Sequence, residues 1–317
     1  MIYRVEDFYK KHKNSLKLEL FAGEKGLKKR IKKPEVHRPG LSLTGYIKNY
    51  KSYRILVIGK GEIQYLKELD PKKRLIRLRE ILTKDTPAVI ISKKITPLKE
   101  LKIVCDQHSI ALFGSDIETM ALISKMIIDL SYEFSQTKTM HGTLVEVFGM
   151  GVLIQGESSV GKSEAALGLL EKGHRLISDD VVKIRKKDEN SLIGSGPEIT
   201  RHLMEVRGLG IINVAHLYGA VCVRENIVLD IVIKLEPFDP SHFYDRVGLE
   251  DKCVDILGVK IPFHLVFVNP GRDVVLLIET LTLNQRLKNS GYNSAKEFNI
   301  KLLQKLAKRN VNTSEIS

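Results

Sequence analysis

The sequence lacks the hydrophobic segments that place a protein in a membrane or mark it for secretion. No uninterrupted apolar run approaches the roughly 18 residues that a membrane-spanning helix needs. Residues 1–7, MIYRVED, contain no apolar segment of the kind found in a secretory signal. Internal repeats and low-complexity segments are also absent. We therefore expect a cytoplasmic protein that has no membrane partner.

Cysteine is scarce as well. The three cysteines, Cys105, Cys222 and Cys253, lie far apart and are odd in number. This spacing matches neither a zinc-binding pattern nor a disulfide framework. We expect three buried thiols that act as small apolar side chains.

Acidic residues are too few to balance the basic ones, and the formal net charge is +13. All of this excess lies in residues 1–130, most densely in residues 25–33, whereas residues 131–317 carry equal numbers of acidic and basic side chains. No interleaved aromatic residues, zinc pattern or helix-turn-helix signature accompany the basic run. We interpret it as a solvated surface and do not expect a nucleic-acid partner.

The length of 317 residues and the 43% hydrophobic content favour two domains. In residues 1–134, apolar runs and helical spacing alternate along the chain, which predicts an α/β domain with a mostly parallel sheet. The predicted strands are 16–21, 54–59, 88–92 and 110–113, and the predicted helices are 5–11, 72–82, 98–108 and 117–134. In the last helix, a buried stripe of Met120, Ile123, Ile127 and Leu130 is expected. The polar stretch 135–139 marks the boundary with a second domain, 135–317.

The most informative stretch lies between a buried strand at residues 152–154 and a helix at residues 163–172. It reads G-x-x-x-x-G-K-S, the pattern of a phosphate-binding loop, and consists of Gly156, Glu157, Ser158, Ser159, Val160, Gly161, Lys162 and Ser163. Backbone N–H groups and the helix N-terminus would face phosphate oxygens. Lys162 would reach the β- and γ-phosphates, and the Ser163 hydroxyl would bind Mg²⁺.

Two carboxylates follow the next predicted strand, residues 175–178. A helix of about eleven residues descends about 16 Å, and a return strand of four or five residues climbs about 15 Å. Asp179 and Asp180 should therefore return to the level of the phosphates on a neighbouring parallel strand. Because strand residues alternate in direction, only one of the two should face the γ-phosphate. On pattern alone, His141 and residues 205–213 indicate no chemistry.

Taken together, these motifs resemble the bacterial HPr kinase/phosphorylase family nearly from end to end. The matching segments are 38–46, His141-Gly142, 156–163, 173–180 and 205–213, which agree in order and spacing. The resemblance implies a homohexamer of two-domain subunits. It also implies a C-terminal phosphate-loop kinase domain similar to phosphoenolpyruvate carboxykinase.

The activity implied by this resemblance is phosphorylation of a serine of HPr, the phosphocarrier of the sugar phosphotransferase system, with ATP and Mg²⁺. In the reverse reaction, inorganic phosphate would attack phosphoserine-HPr and release pyrophosphate. Both reactions would regulate carbon metabolism.

The family's site residues fall on matching positions of this sequence. Lys162 would stabilise the transferred phosphoryl group, and Ser163 and Glu205 would hold Mg²⁺. Asp180 would be the general base of the kinase and the general acid of the reverse reaction, and partial desolvation of its carboxylate is expected. His141 would assist Asp180, and Arg246 would stabilise charge from a nearby loop.

The sequence departs from the family's pattern in two places. Ser159 stands where family members usually have glycine, so its φ angle must suit a non-glycine residue. Asn269 and Asp273 stand where the family typically has arginine and asparagine. This second departure makes the loop more negative by two charges, so we expect phosphorolysis to need unusually high phosphate.

Two alternatives stay open at this point. One is a metabolite kinase or carboxykinase-like enzyme built on the same loop, which would turn over without HPr. The other is a nucleotide-switched binding module whose basic N-terminal domain contacts nucleic acid or an acidic protein.

Overall fold

The computed structural model describes residues 2–48, 50–238, 251–269 and 271–314. It divides into two compact units, Met1–Ser135 and Gln136–Ser317, which are unit 1 and unit 2 below. Within the described residues, no helix is long and apolar enough to cross a membrane.

Unit 1 is an open sheet covered by helices on both faces. Its strands are β1 (Glu19–Ala22), β2 (Val36–His37), β3 (Ile55–Ile58), β4 (Ala88–Ile91) and β5 (Ala111–Gly114). Its helices are α1 (Val5–His12), α2 (Lys60–Glu68), α3 (Pro71–Ile81), α4 (Lys99–Gln107) and α5 (Thr119–Phe134). The strand order is β1-β5-β4-β3-β2, and only the β1–β5 pair is antiparallel among the described strands. The prediction of a mostly parallel sheet is confirmed.

The central strands β3, β4 and β5 are buried at every residue, as expected for strands covered on both faces. Helices α2, α3 and α4 pack on one face of the sheet, and α1 and α5 pack on the other. Helix α3 begins where Asp70 accepts hydrogen bonds from the amides of Lys72 and Lys73, and Pro71 occupies its first turn. Helix α2 was missing from the sequence prediction, which recognised only the strand before it and α3 after it.

The buried stripe of α5 differs from the prediction. The buried residues are Thr119, Leu122, Met126 and Leu130. Of the predicted stripe, Leu130 is buried and Ile123 is partly buried, whereas Met120 is 64% and Ile127 is 43% exposed. Both stripes have helical spacing because α5 is apolar on more than one face. Periodicity alone could not identify the face that packs on the sheet.

Unit 2 contains a larger mixed sheet and a separate two-stranded hairpin. Its strands are β6 (Thr137–His141), β7 (Thr143–Val147), β8 (Met150–Gly156), β9 (Arg175–Ser178), β10 (Val181–Lys186), β11 (Leu192–Ser195), β12 (Leu203–Val206), β13 (Gly210–Asn213), β14 (Asn226–Pro237), β15 (Cys253–Ile256) and β16 (Val259–Val268). Its helices are α6 (Lys162–Glu171), α7 (Val214–Tyr218), α8 (Val274–Asn289) and α9 (Ser294–Ser314). The main path runs β6-β10-β11-β14-β8-β7-β9, with β16 also paired to β14, while β12 and β13 form a separate hairpin.

The β8–α6–β9 crossover is present, but its two strands are not neighbours. Strand β7 pairs antiparallel with both β8 and β9 and therefore lies between them. Strand β9 consequently runs parallel to β8 one strand further away than predicted. The predicted elements of the crossover are confirmed, and the predicted adjacency is wrong.

The three cysteines lie in different environments. Cys105 is buried in unit 1, and burial raises the pKa of its thiol to about 12. Cys222 is only partly buried and Cys253 is exposed at the start of β15. The prediction of buried thiols is therefore correct for Cys105 alone.

Candidate functional site

The glycine-rich loop joins the end of β8 to the start of α6. Gly156 has φ +146°, and a Cβ atom there would lie 2.5 Å from the carbonyl oxygen of Leu235, so a larger residue cannot fit without moving β14. Gly161 has φ +97° and is the N-cap of α6. Both glycines therefore occupy positions where side chains are strongly disfavoured.

Ser159 adopts φ +75° in the exposed part of the same loop. The sequence predicted that this residue must tolerate the conformation that glycine usually supplies. The left-handed region costs a non-glycine residue backbone energy. The loop therefore contains one residue, Ser159, in an unfavourable backbone conformation.

Lys162 is the first residue of α6, and its side chain folds back over the loop. Its Nζ atom donates to the carbonyl oxygens of Gly156 at 3.1 Å and Glu157 at 2.9 Å. A flexible ammonium that donates to two neutral carbonyls can move onto an anion that binds in the loop. The ammonium group of Lys162 thus lies next to the glycine-rich loop.

Asp179 lies just after β9 and points toward the first turn of α6. The residue is buried, and the Ser163 hydroxyl donates to its Oδ2 atom at 3.0 Å and approaches Oδ1 at 3.3 Å. The Thr143 hydroxyl donates to Oδ1 at 2.6 Å, and the Glu205 amide donates to Oδ2 at 3.3 Å. One carboxylate therefore connects β7, α6 and β12.

Asp180 points the other way. Its side chain is 75% exposed, and its Oδ1 atom lies 3.7 Å from Nδ1 of His141, which is 87% exposed. The carboxylate is not partly desolvated in this structure, contrary to the expectation. The two aspartates face different ways because Asp180 lies in a left-handed turn with φ +62°, not because strand residues alternate, and the one that faces Ser163 is Asp179.

The segment 205–213 forms the hairpin of β12 and β13 rather than a plain turn. Met204 and Val206 are buried, so the exposed Glu205 side chain lies on the opposite face, while its amide contacts Asp179. At the turn, Arg207 Nη2 lies 3.4 Å from the hydroxyl of Ser158. The hairpin therefore brings a backbone amide to Asp179 and a guanidinium to the glycine-rich loop.

Two other predicted features are Arg246 and the loop at residues 268–273. Arg246 lies outside the described residues. Asp273 is the N-cap of α8 and accepts from the Leu276 amide at 2.9 Å, a role that the asparagine typical of the family could also fill. Arg272 in the same loop donates to the carbonyl oxygen of Phe267. Asn269 lies between β16 and α8.

Sequence reasoning missed two residues of this site. Thr143 was not singled out at all, and Arg207 was included only as part of the segment 205–213. The contact of Arg207 with the loop could have been suspected from its place in a motif that matches the family. The contact between Thr143 and Asp179 depends on β7 lying between β8 and β9, which no local pattern reveals.

The sequence matches two family models over nearly its full length. The family described as HPr Serine kinase N terminus matches residues 3–130, and the one described as HPr Serine kinase C-terminal domain matches residues 132–302. The chain is 44% identical over 286 residues to an HPr kinase/phosphorylase of Listeria monocytogenes serotype 4a, covering 90% of this chain and 92% of that protein. It is 40% identical over 285 residues to that of Geobacillus kaustophilus, with the same coverage.

A solved structure, the Hpr(Ser) kinase/phosphatase from Coxiella burnetii, is also similar. It is 38% identical in sequence, has a TM-score of 0.46, and covers 51% of this chain and 98% of its own.

Proposed function

This chain belongs to the HPr serine kinase family, and from that premise we propose that it transfers the γ-phosphoryl group of ATP to a serine of HPr. It is a kinase and phosphorylase of the phosphotransferase system. The observation that carries the assignment of its site is the placement of Lys162, Ser163 and the Asp179 carboxylate at the glycine-rich loop. Neither a metabolite kinase nor a nucleic-acid-binding module is favoured by relatives that match 90% of the chain.

The phosphates of ATP would bind in the loop 156–163. Backbone N–H groups at the start of α6 face this side, and a helix N-terminus favours negative charge. Lys162 would exchange the two loop carbonyls for phosphate oxygens. This combination agrees with a phosphate-loop kinase domain, and we propose the similarity to phosphoenolpyruvate carboxykinase on the same basis.

Ser163 and Asp179 fit the chemistry of a magnesium site. Among the residues that the structure describes, no group of three or more His, Cys, Asp or Glu side chains is arranged to hold a metal. Mg²⁺ needs only one or two carboxylates when phosphates and water complete its ligands. A hydroxyl and a carboxylate 3.0 Å apart beside the loop meet that need, and Glu205 is the second proposed carboxylate. Bound Mg²⁺ would neutralise charge on the phosphates.

Asp180 is proposed to accept the proton of the substrate serine. The serine oxygen then forms a bond to the γ-phosphorus as the bond to ADP breaks. In phosphorolysis, an oxygen of inorganic phosphate attacks the phosphorus of phosphoserine, Asp180 returns the proton to the serine oxygen, and pyrophosphate leaves. His141, 3.7 Å away, would hold the Asp180 carboxylate in place, and Arg246 would add positive charge.

We also propose a cytoplasmic homohexamer with domains 1–134 and 135–317, as the resemblance implies. Exposed apolar side chains on α5 and α9 are available for subunit contacts.

The test is incubation with HPr, ATP and Mg²⁺ followed by detection of phosphoserine. Lys162→Ala should lower turnover by at least about 10²-fold, because the variant loses a fixed cation on the phosphoryl group. Lys172→Ala, at the other end of α6, is the matched control and should keep turnover near that of the wild type. A folded Lys162→Ala protein with near-native turnover would refute the assignment of the loop.

A further inference from the structure

Thr143 is a polar exception in an apolar strand. It is the first residue of β7, has 0% exposure, and is followed by Leu144 and Val145, which are equally buried. A hydroxyl in such surroundings is costly unless it finds a partner. Its partner is Asp179, whose Oδ1 atom accepts the hydrogen bond at 2.6 Å.

The other two donors to Asp179 lie closest to its second oxygen, Oδ2, although Ser163 is also 3.3 Å from Oδ1. Ser163 and the Glu205 amide both approach Oδ2, at 3.0 Å and 3.3 Å. Ser163 lies in the first turn of α6, within the loop proposed to bind phosphate. Thr143 therefore makes the shortest hydrogen bond to Oδ1, while Oδ2 is the oxygen nearer to Ser163.

We propose that Thr143 is a positioning residue that orients Asp179 for binding Mg²⁺ together with the nucleotide. This inference rests on the proposed function of the loop. A carboxylate whose Oδ1 atom accepts from a buried hydroxyl keeps one orientation, so Oδ2 stays beside Ser163, where the metal would bind. Partners of this kind typically contribute about 10- to 100-fold to metal affinity.

The experiment compares nucleotide binding by the full-length wild type, Thr143→Val and Thr143→Ser. Valine keeps the shape of threonine and removes the donor, whereas serine keeps the donor. Calorimetric titrations with ATP are run in excess Mg²⁺ and again in EDTA, and Mn²⁺ binding in the presence of ADP is followed by electron paramagnetic resonance. None of these readouts requires phosphoryl transfer.

Thr143→Val should bind ATP in Mg²⁺ at least about 10-fold more weakly than the wild type, with a similar loss for Mn²⁺. Its affinity for ATP in EDTA should change little, because the loop amides and Lys162 are intact. Thr143→Ser should behave as the wild type. Thr282→Val is the matched control, because it removes another fully buried hydroxyl of unit 2, one that donates to a helix carbonyl.

Two results would overturn the inference: wild-type Mg²⁺-dependent affinity in Thr143→Val, or an equal loss of affinity with and without the metal. If the valine variant does not fold, Thr143→Ala is read by the same criteria against Thr143→Ser. A wild type that binds no nucleotide at all would instead refute the proposed function, so the two failures are distinguishable.

Discussion

Asp180, the residue just before β10, adopts φ +62°, and its carbonyl oxygen accepts from the Gly142 amide. This left-handed turn separates the two aspartates, so that Asp179 stays buried while Asp180 faces His141 and solvent. Asp and Asn tolerate the left-handed region better than most residues. Backbone geometry thus gives two adjacent carboxylates different environments.

Asp180→Asn should therefore keep the fold and lose the base. At saturating ATP and Mg²⁺ we expect turnover to fall by at least about 10²-fold, the usual contribution of general base catalysis. Asp179→Asn should act mainly on the affinity for ATP in Mg²⁺. Steady-state kinetics with HPr separate these effects, and near-native turnover of the folded Asp180→Asn protein would contradict the assignment.

Ser159 offers a test of the loop's backbone. Replacing it with glycine removes the cost of the left-handed conformation in the folded state, roughly 1–2 kcal/mol. Glycine's greater freedom in the unfolded chain lowers the stability by roughly 0.5–1 kcal/mol. Ser159→Gly should thus raise the free energy of unfolding by about 0.5 kcal/mol. Ser158→Gly, at a neighbouring residue with no positive φ, should lower it. Denaturant unfolding checks both, and equal effects would count against local strain.

At the scale of elements, the β8–loop–α6 segment could be predicted because its signals are local. Residues 152–154 are apolar, Gly156 and Gly161 fix the turn, and α6 follows at once. The lengths of α6 and β9 also predicted that β9 ends near the level of the glycine-rich loop. They could not show that β7 lies between β8 and β9, because that order depends on pairing between distant strands. The Thr143–Asp179 contact was missed for the same reason.

Strand β14 carries a further titratable group. Asp230 accepts a hydrogen bond from the Gly151 amide at 2.7 Å, and burial raises its pKa despite that bond. A carboxyl whose pKa is higher in the folded state contributes stability below its unfolded pKa. That contribution is lost as pH rises through the folded pKa. The ionised Asp230 is thus a cost at neutral pH.

Asp230→Asn should raise the free energy of unfolding at pH 7, because the amide oxygen can still accept from Gly151 and no charge is buried. The advantage over the wild type should shrink as pH falls toward the ordinary aspartate value of 3.8. Asp255→Asn is the control, since Asp255 also accepts from a backbone amide but is exposed. Denaturant unfolding between pH 4 and 8 measures the difference, and a gain independent of pH would rule out this explanation.

At the scale of the whole molecule, the two units differ in net charge. The excess of basic residues lies in unit 1, while the proposed catalytic residues lie in unit 2. Composition predicted this separation directly, because it needs only a count along the chain. The contacts made by the basic side chains required the structure.

Part of the basic run at residues 25–33 is engaged within unit 1. Lys29 donates to the carbonyl oxygen of Thr86, Lys32 pairs with Asp85, and Lys33 lies over the ring of Tyr53. Burial lowers the pKa of Lys29, although Cys105 and Asp85 oppose the shift. Lys29 is therefore engaged in the packing of unit 1, while Lys32 and Lys33 are exposed and each contacts one side chain of its own unit.

We therefore expect only weak, salt-sensitive binding of the full-length protein to duplex DNA. At physiological salt the dissociation constant should be no tighter than about 10⁻⁶ M, because nonspecific binding depends on the release of counterions from phosphates. Fluorescence anisotropy with two unrelated duplexes of equal length should give the same affinity for both, falling steeply between about 50 and 200 mM salt. Lys32→Glu, which replaces an exposed cation by an anion, serves as a partner variant and should weaken binding to both duplexes equally. Tight binding that distinguishes the two duplexes at physiological salt would show instead that unit 1 reads nucleic-acid sequence.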